Sequence, residues 1–131
     1  MNKHTETGNP GWTLRKSFTF EAAHLLPHHD GKCARLHGHS WKMTVEVGAD
    51  RLEVRGPKRG MVMDFGDLKA VVAPLVEQKL DHFYLNDSLL MENPTSENVA
   101  RWIFDKLAPK LPMLRAVIIH ETCTAACRYG H

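Results

Sequence analysis

The chain has 131 residues, 43% of them hydrophobic, which is enough for one compact domain with a core of its own. Lysine and arginine number 17 against 15 aspartates and glutamates, and the net +2 is spread without a block of like charge, so neither a nucleic-acid nor a membrane surface is expected. The longest apolar runs fall far short of the roughly 20 residues that cross a bilayer, the polar start lacks the apolar segment of a signal peptide, and three cysteines make no disulfide framework, so a soluble cytoplasmic protein with reduced thiols is expected.

Residues 1–11 read as a flexible tail, because Gly8, Asn9, Pro10 and Gly11 interrupt a stretch with no apolar period, and residues 12–131 read as a single domain. From Leu14 the chain alternates, with Phe18, Phe20, Ala22 and His24 on one parity and Arg15, Ser17, Thr19 and Glu21 on the other, which predicts a half-buried strand. A second alternation runs through Trp41, Met43, Val45 and Val47, and His37 and His39 share its apolar parity. Gly56-Pro57-Lys58-Arg59-Gly60 has the composition of a turn, so Met61–Phe65 is expected to return as a third strand and close a long hairpin. A helix should begin at Asp64 or Gly66, carrying Leu68, Val71, Val72, Leu75, Val76 and Leu80 at helical spacing, with Pro74 as a lost hydrogen bond or a kink. Thr95 or Ser96 can cap a second helix with the stripe Val99, Trp102, Ile103 and Leu107, ending before Pro109 or Pro112. Leu114–Glu121 reads as a last long strand, with a short terminal one to follow. This order suits an α+β domain, an antiparallel four-stranded sheet with two helices on one face. Apolar residues of both parities in the last strand suggest that the other face packs against another subunit.

The chemistry gathers in Cys33-Ala34-Arg35-Leu36-His37-Gly38-His39 and in His24. If the first two strands pair antiparallel, the end of one lies beside the start of the other, and three imidazoles converge on one face. Three protein ligands leave zinc an open position, the arrangement of a catalytic rather than a structural site. Cys33 is either a fourth ligand that would close the shell or, beside the metal and other cations, a thiol of lowered pKa that serves as base or nucleophile. His28 and His29 compete as ligands from the connecting loop; His4 and His120 are given no role, and Cys123 and Cys127 read as buried small residues. Asp81-His82 offers a carboxylate beside an imidazole, as a proton relay needs, although neighbours on a helix do not face one another. Glu121 requires a partner if buried, either an amidine-like ring or an internal salt bridge.

Phe20-Glu21-Ala22-Ala23-His24, Cys33-x-x-x-His37-Gly38-His39, Met63-Asp64-Phe65, Leu80-Asp81-His82, Leu85-Asn86, Asn93-Pro94-Thr95-Ser96-Glu97-Asn98 and Glu121-Thr122 together resemble the ordered motifs of the 6-pyruvoyl-tetrahydropterin synthase family, over about Trp12 to Arg128. The three residues between Cys33 and His37, and the run Glu121–Cys127, resemble its carboxytetrahydropterin branch, which serves queuosine synthesis; the pyruvoyl branch has a longer cysteine-to-histidine spacing. The resemblance implies the tunnelling fold, with subunits joining their sheets into a barrel as trimers, two trimers stacking into a hexamer, and active sites at subunit boundaries. It implies a zinc-dependent carbon–carbon lyase that converts 7,8-dihydroneopterin triphosphate to 6-carboxytetrahydropterin with loss of acetaldehyde and triphosphate. The alternatives are the pyruvoyl reaction, which eliminates triphosphate without cleaving the carbon chain, and a zinc-stabilised binding module with no activity. Carried over residue by residue, the resemblance gives zinc to His24, His37 and His39 and proton transfer to Cys33. His82, oriented by Asp81, becomes the relay, reaching the site from a neighbouring subunit. Glu121 becomes the pterin anchor, and Thr95 and Ser96 part of the pterin pocket. Lys32, Arg35 and Arg15 are candidates for the triphosphate.

Overall fold

The computed structural model describes residues 10–131, so residues 1–9 of the expected tail, His4 among them, lie outside the described residues. Strand β1 (Trp12–His24) starts where the alternation begins and pairs antiparallel with β2 (His37–Ala49) along its whole length, Trp12 opposite Ala49 and His24 opposite His37. β4 (Leu114–Thr122) pairs with β2, and β5 (Ala125–Gly130) with β4, both antiparallel. A fifth strand, the two-residue β3 (Phe83–Tyr84), runs parallel to β1 at Ala22 and Ala23, which makes the order β3-β1-β2-β4-β5. The sheet therefore has five strands rather than four.

The expected strand at Met61–Phe65 does not form. A small ring of backbone bonds, Glu53 N to Met61 O (2.9 Å) and Gly60 N to Glu53 O (2.8 Å), closes the loop, with turns at Gly56–Arg59 and Lys58–Met61 inside it. What stops the chain from extending is the cap of the next helix. The Asp64 carboxylate accepts from Gly66 N (2.6 Å) and from the Lys58 ammonium (2.7 Å), so the backbone turns into α1 (Phe65–Leu75) instead. Pro74 sits inside α1, and the chain answers with one wide π turn over Val76–Leu80, which keeps Leu80 fully buried. After the four-residue α2 (Leu85–Ser88), helix α3 (Ser96–Leu107) is capped by the Thr95 hydroxyl, which accepts from Asn98 N at 3.1 Å.

Leu68 and Val72 of α1 and Val99, Ile103 and Leu107 of α3 meet Phe20, Met43, Val45, Val47, Val117 and Ile119 in one core, so both long helices cover the same face of the sheet. Leu114 joins that face against simple parity. A bulge puts Val47 opposite Leu114 but Glu46 opposite Ala116, which makes Arg115 the extra residue and lays its guanidinium over Gly48. The helix-free face is polar: Glu46 is buried there, held by Arg15 at 2.9 Å and Arg128 at 3.0 Å, beside Ser17 and Thr44, whose hydroxyls are 2.9 Å apart. Ala116 and Ile118 are also buried on it, so two-sided burial of the last strand holds within one chain.

Replacing Ile103 by alanine, at the centre of the core, is expected to cost about 2–5 kcal/mol in a denaturant titration. Lys58 and the Gly66 amide hold the Asp64 carboxyl below the usual carboxylate range. Its charged form is the folded one, so its contribution is present at neutral pH and fades as pH falls through the lowered pKa. Asp64→Asn should therefore destabilise the fold at pH 7, and the gap to the parent should close below about pH 4.

Candidate active site

Because β1 and β2 pair in the register that sets His24 opposite His37 and Ala22 opposite His39, the three imidazoles stand at the end of the helix-covered face, where the core runs out. Their ring centroids lie 4.6 Å (His24–His37), 5.3 Å (His24–His39) and 6.0 Å (His37–His39) apart. One nitrogen of each falls within 4.8 Å of the other two.

Each ring is fixed from behind by a backbone carbonyl. His24 Nδ1 meets Pro94 O at 2.8 Å, His37 Nδ1 meets Arg35 O at 2.8 Å, and His39 Nδ1 meets Ser40 O at 2.9 Å. A carbonyl only accepts, so all three rings carry a proton on Nδ1 and leave Nε2 as the nitrogen that faces the others; those of His24 and His39 are 3.4 Å apart. Burial pushes His24 below the ordinary imidazole range, and His37 and His39 push the same way against the Pro94 bond, which keeps the ring neutral. Three imidazoles that turn their Nε2 edges toward one point are the donor set of a divalent metal with an open position. Beneath them lies Trp41, 1% exposed, stacked on His39 at 4.5 Å and edge-on to His24 at 4.8 Å, its indole N–H spent on Ala22 O (3.2 Å).

Cys33 sits half-buried in a single 3-10 turn, Lys32–Ala34, and among the described residues its thiol is not one of the gathered ligand atoms. It shares a hollow of about 320 Å³ with Lys32, Arg35, Leu36 and His37. Arg15, by contrast, belongs to the Glu46 cluster on the other face. His28 pairs with Glu92 (3.3 Å) and His29 accepts from Gly31 N (2.8 Å), so neither loop histidine joins the triad. His120 lies within 3.3 Å of the Thr44 hydroxyl on the helix-free side.

Glu121 is exposed, so burial does not by itself demand the partner that a buried carboxylate would need. It is the extra residue of a second bulge, between the pairs His120–Ala126 and Thr122–Ala125, which places its carboxylate beside the triad. One oxygen lies 3.3 Å from His39 Nε2, and the other accepts a short hydrogen bond from the Ser96 hydroxyl. Thr95 spends its own hydroxyl on the cap of α3.

Asp81 and His82 are not on a helix. They follow the π turn, with His82 in the left-handed region (φ 66°), a conformation that turns its ring to within 3.1 Å of the Asp81 carboxylate. Asp81 also accepts from Glu21 N (2.9 Å), the larger cause of its lowered pKa, and His82 N donates to Glu21 O (2.6 Å). The pair is thus latched onto β1, and among the described residues no hydrogen bond, ion pair or ring contact joins it to the triad. His82 opens on a hollow of about 440 Å³ lined by Glu21, Ala23, Gly38 and Tyr84, which His39 of the triad also borders.

Residues 13–131 match the family described as 6-pyruvoyl tetrahydropterin synthase. The chain belongs to that family. A protein of Synechocystis sp. named 6-carboxy-5,6,7,8-tetrahydropterin synthase is 58% identical over 119 residues, 90% of this chain and 92% of the relative. One of the same name from Haemophilus influenzae is 35% identical, covering 88% of this chain and 96% of its own length. The structure of Caenorhabditis elegans 6-pyruvoyl tetrahydropterin synthase superposes with a TM-score of 0.78 at 28% identity, over 93% of this chain and 96% of that one. Fold and family thus agree with the motifs that carry the resemblance, and the activity class is that of a pterin synthase. Among the described residues no helix is long and apolar enough to cross a membrane.

The site makes a direct prediction. His37→Ala should abolish metal binding measured by elemental analysis after dialysis, whereas Cys33→Ala should keep the parent's metal content; loss of metal from the cysteine variant would return the thiol to the ligand shell.

Proposed function

We propose that the chain is a zinc-dependent carbon–carbon lyase that converts 7,8-dihydroneopterin triphosphate to 6-carboxy-5,6,7,8-tetrahydropterin, releasing acetaldehyde and triphosphate, as a step of queuosine synthesis. One water is taken up, which balances the atoms. What carries this choice of reaction is the 58% identity, along nearly the whole chain, to a protein of that name. The donor set of His24, His37 and His39 fits zinc. When bound, zinc supplies a Lewis acid that lowers the pKa of the substrate's side-chain hydroxyls.

The chain's own groups do the rest. Cys33, in the hollow that reaches His37, moves protons to and from the side chain. Lys32 and Arg35 flank it as cations for the triphosphate. Glu121 takes the amino group and ring N–H of the pterin as a paired acceptor, exchanging its contact with His39 for the substrate, while Ser96 steadies the carboxylate and Thr95 holds the start of α3 beneath it. His82, oriented by Asp81, relays the proton.

His82 borders the same hollow as His39 but, among the described residues, has no direct bond to the triad, and that open arrangement supports a site completed by a neighbour. A homo-oligomer fits the sheet. Among the described residues β1 is paired on its outer side only at Ala22 and Ala23, and β5 is the opposite edge, so copies can join β1 to β5 and close a barrel, with a hexamer of two trimers as the expected assembly. Three free cysteines suit the reducing cytoplasm.

The rival is the pyruvoyl reaction, for which the 28% likeness to the C. elegans structure speaks less strongly. Incubating the zinc-loaded protein with 7,8-dihydroneopterin triphosphate should yield one acetaldehyde per pterin consumed. Consumption without acetaldehyde would give the reaction to the rival, and no consumption at all would leave the binding-module reading.

A further inference from the structure

His24 is oriented by a carbonyl seventy positions away in sequence, so the Pro94 peptide must itself be held in place for the ring to be held. Proline has no N–H with which to tie its own peptide to a neighbour, and its ring restricts Asn93 to extended backbone. The segment is therefore fixed by other groups, one carbonyl at a time. Asn86 binds Leu25, the residue after His24, at both ends of its side-chain amide: Oδ1 accepts from Leu25 N (3.1 Å) and Nδ2 donates to Leu25 O (2.9 Å). Because Leu25 N–H needs an acceptor, the orientation of the amide is set, and the second Nδ2 proton goes to Glu92 O at 3.1 Å. From the other side Asn98, in the first turn of α3, donates from Nδ2 to Asn93 O (2.9 Å), a carbonyl that also takes the Thr95 N–H (2.8 Å). With the carbonyls of Glu92 and Asn93 both tied down, that of Pro94 is left aimed at His24 Nδ1.

We infer that Asn86 and Asn98 are positioning residues of the metal centre, a two-sided clamp that ties the end of β1 to the segment before α3 and thereby fixes the tautomer and direction of His24. The inference rests on the reading of His24, His37 and His39 as metal ligands. Groups that orient a ligating imidazole from behind typically change metal affinity by about 10–100-fold when removed, and these act one step further back, through the Pro94 carbonyl.

The test uses Asn86→Asp, which keeps the acceptor for Leu25 N and loses both donors, and Asn98→Ala, which loses the other half of the clamp. Zinc affinity is measured by competition with a chromophoric chelator, and ligand geometry by the visible absorption of the cobalt-substituted protein. Ile103→Ala serves as a control that destabilises the fold far from the site. Each clamp variant should bind zinc about 10-fold more weakly or worse and show an altered cobalt spectrum, while the control keeps the affinity and spectrum of the parent. Parent-like affinity and cobalt spectra in the clamp variants overturn the inference, as does an equal loss in the control, which would reduce it to general stability. If Asn86→Asp does not fold, Asn98→Ala decides alone. A parent protein that takes up no zinc sinks the metal reading itself, an outcome distinct from parent-like clamp variants.

Discussion

Three hydrogen bonds from imidazole Nδ1–H groups to backbone carbonyls are the constraint on which the site depends. A free histidine exchanges tautomers and rotates about two bonds; tied at Nδ1 to Pro94, Arg35 or Ser40, each ring has one tautomer and one direction for its lone pair. Two of the three acceptors are local, one and two residues away, and come with the geometry of β2 and the turn before it. The third reaches across the fold, so the triad is complete only when the loop before α3 has docked against the end of β1.

The sheet serves this site through its irregularities as much as its regular pairing. The long β1–β2 ladder sets the histidines in register. A bulge at Glu121 then brings a carboxylate from β4 beside His39, where unbroken pairing with β5 would leave no extra residue to turn. The bulge at Arg115 rotates the far end of the same strand, so that Leu114 packs with Val47 in the core while Arg115 covers Gly48. On the opposite face the buried Glu46 between Arg15 and Arg128 costs desolvation that only good pairing offsets, and it fixes how β1, β2 and β5 lie together more than it adds stability.

The positive φ of His82 has the same character. A left-handed histidine is uncommon and strained, and here it is held by its amide on Glu21 O and by the Asp81 carboxylate, which is itself bound to Glu21 N. Glu21 lies three residues before His24 on β1, so one strand carries both a ring of the imidazole triad and the latch of the Asp81–His82 pair. His82 and His39 border one open hollow on that side of the sheet.

Much of this was legible in the sequence because it is periodic. Alternation in Leu14–His24 and His37–Val47 named the strands, their shared parity placed the three histidines on one face, and antiparallel pairing brought the two strand ends together. The stripe of α3 and the Asp64 and Thr95 caps were local patterns of the same kind. The motifs added the family, on residue order that no period encodes. Tertiary structure alone decided what depends on non-local partners or single-residue shifts: the loss of the Met61–Phe65 strand to a Lys58–Asp64 cap, the two-residue β3, the bulges that turn Leu114 and Glu121, the exclusion of Cys33 from the ligand cluster, and the asparagine clamp behind Pro94. Side-chain periodicity tells which face a residue occupies, because the backbone repeat is local. Which group meets it there is fixed by the whole chain closing on itself, and no stretch of sequence read alone contains that information.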